Sequence, residues 1–126
     1  MGEKSMAKKI LVVDDEKDML EILKAKLEFA GYEVLTAING RDAIAKAKTQ
    51  KPDLITLDII MPDVDGAEVA ETLKKDPETK DIPIIFLTCL IKKNEEEKHV
   101  KGGRYFMAKP YDGHELLSAI AKHLAG

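Results

Sequence analysis

Short apolar runs that alternate with longer stretches of helical periodicity constrain this chain more than any other feature. Ile10–Val13, Tyr32–Ala37, Leu54–Leu57 and Ile84–Leu87 read as strands, and Tyr105–Ala108 as a weaker fifth. Runs that are apolar on both alternations belong to strands buried on both faces, the habit of parallel sheets covered by helices. Between them, Lys17–Ala30 carries Leu20, Leu23, Leu27 and Ala30 at helical spacing, and Gly31 is a natural stop. Asn39-Gly40 turns the chain into a helix to about Lys51, with Ala43, Ile44 and Ala47 on its inner face, and Pro52-Asp53 breaks it. Asp65 with Glu68 makes a capping-box-like start for Ala67–Lys75, and Asp112 with Glu115 does the same for a last helix. The order is βαβαβαβ, then a stretch without clear pattern, then βα. Right-handed crossovers make this an α/β fold: a doubly wound five-stranded parallel sheet in a three-layer sandwich.

The length of 126 residues fits one domain. Residues 8–126 form that domain, and residues 1–7 read as an N-terminal extension. A net charge of −3 argues against direct binding of nucleic acid, whose phosphates call for a basic excess. Cys89 is the lone cysteine, which excludes an internal disulfide and a CxxC site and fits a reducing, cytoplasmic setting. The longest apolar run, Ile82–Ile91, is broken by Pro83, Thr88 and Cys89 and falls short of the ~20 residues of a membrane helix. Met1–Met6 has no apolar core and is no signal peptide. His99, His114 and His123 lack mutual ligand spacing and read as ordinary surface or helix residues.

Ligand sites in such sheets lie beyond the carboxyl ends of the strands. Asp14 and Asp15 end the first strand, Asp58 the third, Thr88 the fourth and Lys109 the fifth. A single Asp after a strand is commonly a turn or cap residue. Five such residues on one edge are another matter. Three converging carboxylates repel one another, and a hard divalent cation such as Mg²⁺, with Mn²⁺ as a substitute, relieves that repulsion. A cation does not account for Thr88 and Lys109, whereas a phosphoryl group does, because its oxygens accept from both. A carboxylate can itself be the nucleophile and become an acyl phosphate.

The ordered set Val13-Asp14-Asp15-Glu16, Leu57-Asp58-Ile59-Ile60-Met61-Pro62, Asp65-Gly66, Leu87-Thr88 and Lys109-Pro110 resembles the response-regulator receiver domains of two-component signalling. The resemblance spans about Lys8–Leu124 and implies the (βα)5 flavodoxin-like sandwich. It implies Asp58 as phosphoacceptor, with Asp14, Asp15, Asp58 and the backbone carbonyl of Ile60 around Mg²⁺. Thr88 and Lys109 would contact the phosphoryl oxygens, and Thr88 and Phe106 would be the switch residues. The implied partner is a sensor histidine kinase or phosphotransfer protein. An unknown output partner would read the face made by the fourth helix, fifth strand and fifth helix. The chain would be a signalling module, not an enzyme, that promotes its own Mg²⁺-dependent phosphorylation and dephosphorylation. With Gly126 close behind the last helix, the sequence itself is expected to hold no DNA-binding output module; the chain would be a complete single-domain regulator or an excised piece of a longer protein.

Three departures from the family pattern stand out. Ile60, two after the acceptor, cannot hydrogen-bond a water. Cys89 replaces a smaller residue after Thr88. Lys92–Lys101, the expected fourth helix, has Val100 as its one strong apolar residue. That last departure sustains the rival reading, a receiver-like interaction module that works without phosphorylation. An Asp-nucleophile phosphatase would need Asp-x-Asp after the first strand, and a flavin binder would need a hydroxyl- and Gly-rich loop there. Asp14-Asp15-Glu16 fits neither.

Overall fold

The computed structural model describes residues 7–58, 65–88, 100–101, 104–108 and 113–125. Within them the strands are β1 (Lys9–Val13), β2 (Glu33–Ala37), β3 (Leu54–Asp58), β4 (Ile84–Thr88), β5 (Val100–Lys101) and β6 (Arg104–Ala108). The helices are α1 (Lys17–Phe29), α2 (Gly40–Gln50), α3 (Gly66–Lys75) and α4 (Gly113–Ala125). The sheet order is β2-β1-β3-β4-β6-β5. Five strands run parallel, as the alternation requires, and β5 alone pairs antiparallel, Val100 with Tyr105 and Lys101 with Arg104.

That short edge strand corrects one expectation. Val100-Lys101 was assigned by sequence to the end of the fourth helix, and here it lies beside the start of β6. A β-branched residue next to Gly102-Gly103 and a second extended run has the pattern of a hairpin arm, not of a helix end. Residues 92–99, the rest of the expected helix, lie outside the described residues.

Side chains alternate across each strand, so the sheet has two apolar faces. Leu11, Val13, Ile55, Leu57, Ile84 and Phe86 face α2 and α3, meeting Ala43, Ala47, Val69, Ala70 and Leu73. Ile10, Val12, Leu54, Ile85 and Leu87 face α1 and α4, meeting Leu20, Leu23, Leu27, Leu116, Ala119 and Ile120. Each Leu, Ile or Val buried this way contributes roughly 1.5–3 kcal/mol, which is why the strand register is tightly set.

Local chemistry ends the helices where the sheet needs them to end. At the close of α1, Gly31 N–H donates to Glu28 O at 3.0 Å and Tyr32 N–H to Leu27 O at 3.1 Å. Gly31 sits at φ +101°, a conformation that glycine adopts without steric cost. The pair of bonds reverses the chain into β2. Asn39 Oδ1 accepts from Asp42 N–H at 2.8 Å and starts α2. Asp65 Oδ1 accepts from Glu68 N–H at 3.0 Å and starts α3, as the sequence leads one to expect.

Candidate functional site

The site is built where β1 and β3 lie side by side. Ile10, Leu11, Val12 and Val13 are in parallel register with Leu54, Ile55, Thr56 and Leu57. Asp58 is the last residue of β3, and Asp14 and Asp15 follow the last residue of β1. Both strands deliver their acids to the same carboxyl edge. Asp14 N–H donates to Ala37 O at 3.1 Å, tying the exit of β1 to the end of β2. Asp14 Oδ1 accepts from Glu16 N–H at 2.9 Å, a local turn that carries the chain into α1.

Carboxylate oxygens of Asp14, Asp15 and Asp58 all lie within 4.8 Å of one another. Asp14 is 6% exposed and Asp58 9%, at the border of burial, while Asp15 faces solvent. Three negative groups this close repel, more strongly where two of them are largely withdrawn from water. Oxygen donors around an octahedral Mg²⁺, at about 2.1 Å from the ion, stand about 3–4.2 Å apart. The trio therefore needs little movement to become part of such a shell, and an all-oxygen carboxylate set suits a hard cation.

The neighbouring strand completes the edge. Asp58 is in register with Leu87, so Thr88, the final residue of β4, stands one step further along. Thr88 pairs in turn with Ala108, the final residue of β6. Phe106 lies opposite Phe86 in the same ladder. Lys109 directly follows Ala108 in sequence and lies outside the described residues, as do Ile60 and Cys89. Asp14, Asp15 and Asp58 thus come together in space, and Thr88 and Phe106 are placed by backbone on β4 and β6.

Thr56 stands inside the apolar run Leu54–Leu57, where the sequence alone marks no role for it. Its side chain is 0% exposed, and its hydroxyl has no hydrogen-bond partner among the described residues. The period of two was the available signal, since it puts Thr56 on the same face of β3 as Asp58.

Comparison with known proteins points one way. Residues 10–121 match the family model of the response regulator receiver domain. Protein PilH of Pseudomonas aeruginosa is 40% identical over 122 residues, covering 94% of this chain and 98% of its own. The alkaline phosphatase synthesis transcriptional regulatory protein PhoP of Bacillus subtilis is 43% identical over 119 residues, and the match takes 91% of this chain but only 48% of that protein. A crystal structure of a putative response regulator from Chloroflexus aurantiacus superposes with a TM-score of 0.84 at 30% identity, covering 95% of this chain and 99% of that one. The chemotaxis protein CheY4 of Vibrio cholerae gives 0.80 at 32%, covering 92% and 98%.

Proposed function

This chain belongs to the response-regulator receiver domains, and we propose that it works there as a phosphoryl-aspartate switch with Asp58 as the acceptor. A receiver domain implies a cognate histidine kinase, and the donor is that kinase or a phosphotransfer protein. The reading is carried by one observation: three carboxylates within 4.8 Å at the carboxyl edge of a doubly wound sheet.

An oxygen of the Asp58 carboxylate forms a P–O bond as the P–N bond of the donor's phosphohistidine breaks, and the imidazole leaves. Asp14, Asp15 and Asp58, with the Ile60 backbone carbonyl, would hold Mg²⁺; when bound, the ion would offset the carboxylate repulsion and the charge on the phosphoryl oxygens. Thr88 and Lys109 donate to those oxygens. The same two contacts shift Thr88 and the aromatic residue Phe106 between two arrangements. An output partner reads the change on the face around β6 and α4. Residues 8–126 are the receiver unit and residues 1–7 an extension. The setting is cytoplasmic, which accords with the lone Cys89; no helix among the described residues is long and apolar enough to cross a membrane.

Acetyl phosphate with Mg²⁺ tests the assignment. Intact mass should show one added phosphoryl group on the wild type and none on Asp58→Ala. Equal labelling of both would sink Asp58 as acceptor. No labelling of the wild type, by acetyl phosphate or by a kinase, would favour the interaction module that works without phosphorylation.

A further inference from the structure

The layer beneath the acidic pocket contains a hydroxyl where hydrocarbon would suffice. Leu54 of β3 belongs to the α1–α4 face, while Ile55 and Leu57 belong to the opposite one. Alternation therefore places Thr56 and Asp58 with Leu54. In register beside Thr56 stand Val12 of β1 and Ile85 of β4, both members of the same apolar cluster. One step toward the carboxyl edge, the corresponding layer holds Asp58 and its register partner Leu87.

Thr56 is fully buried, and its Oγ1 meets no partner among the described residues. Leaving a buried donor unmet is costly, and valine fills nearly the same volume without that penalty. The hydroxyl therefore calls for an acceptor within reach. Side chains two residues apart on one strand face are about 6.7 Å apart at Cα. Asp58 does not meet the hydroxyl directly, but a threonine and an aspartate across that gap are within the span of one water with polar partners on both sides.

We propose that Thr56 is a positioning residue for phosphoryl transfer: its hydroxyl donates to one buried water, which donates in turn to one oxygen of the Asp58 carboxylate and holds the other oxygen toward the open edge. The inference rests on Asp58 being the acceptor. A carboxylate held by one oxygen spends more of its time aligned for in-line attack. The same water also gives the acyl phosphate a donor at its carbonyl oxygen.

The test compares Thr56→Val, Thr56→Ser and Thr56→Ala with the wild type and Asp58→Ala. Labelling by acetyl phosphate is timed by intact mass at saturating Mg²⁺, and thermal melting is recorded for each. Losing one orienting hydrogen bond should slow labelling about five-fold in Thr56→Val and Thr56→Ala. Thr56→Ser should label near the wild-type rate, although it melts lower for want of the methyl group. A purely structural hydroxyl would behave otherwise: Thr56→Val would melt higher and label at the wild-type rate, and that result overturns the proposal. Equal slowing of Thr56→Ser and Thr56→Val overturns it too. Should Thr56→Val not fold, Thr56→Ala decides by the same rate. Labelling that persists in Asp58→Ala overturns the acceptor reading itself; labelling lost there with a normal rate in Thr56→Val overturns only the role of Thr56.

Discussion

The two faces of the sheet are built from the same strands and end differently. On the α2–α3 face the strands stay apolar to their last layers, with Val13, Leu57 and Phe86 all buried in one cluster. On the α1–α4 face the β3 strand changes character at Thr56 and Asp58, and β1 runs out into Asp14 and Asp15 just before α1 begins. Both faces serve stability, and the second also carries the chemistry at its edge. Period-two alternation makes the division possible, because adjacent residues of one strand can serve opposite purposes. It also makes the division brittle. A one-residue slip of β3 would send Asp58 among Val69 and Leu73 and turn Leu57 toward the pocket.

Substitutions on either side can break this contrast. The largest effect should come from Phe86→Ala, which empties a buried site on the apolar face. About 3–5 kcal/mol of stability should be lost, and by the same amount with or without Mg²⁺. A loss that Mg²⁺ alters would show the faces to be coupled. Next is Asn39→Ala, which removes the acceptor for Asp42 N–H at the start of α2. It should cost about 1 kcal/mol in denaturant titration, with no change in labelling of Asp58. Changed labelling would tie the α2 cap to the pocket.

On the chemical face, Ile60→Asn should hasten decay of the purified phosphoprotein several-fold. Orienting one attacking water is worth on the order of 1 kcal/mol, and a decay rate equal to the wild type's would show that residue 60 does not govern the attacking water. The smallest effect belongs to Asp15→Asn. Relief of repulsion should raise the metal-free melting temperature slightly, by less than about 1 kcal/mol of stability. The rise in melting temperature on adding Mg²⁺ should shrink, and more than in Asp58→Asn. A larger Mg²⁺ effect in Asp15→Asn would remove Asp15 from the ligand set.

Strands that are buried on both faces announce themselves, which is why β1, β3 and β4 agree with their apolar runs to within a residue. The capping pair Asp65 with Glu68 was equally legible, since a side-chain acceptor three residues ahead of an N–H is a local device. The β5 edge strand was not. Two residues cannot display a period, and only the pairing with Arg104 and Tyr105 makes them a strand. Thr56 escaped for a related reason: threonine is at home in a strand, and nothing in the linear text shows that its hydroxyl is enclosed.

The sequence by itself determined the five parallel strands and the helices that are described between and after them, and hence that Asp14, Asp15 and Asp58 must reach one edge. That follows from alternation and from the handedness of crossovers, both of which are local or topological. Only the tertiary structure decided that β1 and β3 are neighbours and that the three carboxylates close to within 4.8 Å. It alone showed that the Thr56 hydroxyl below them is fully enclosed and meets no partner among the described residues. Distances between chain-remote groups depend on packing of the whole sheet against four helices, and no window of sequence contains that sum.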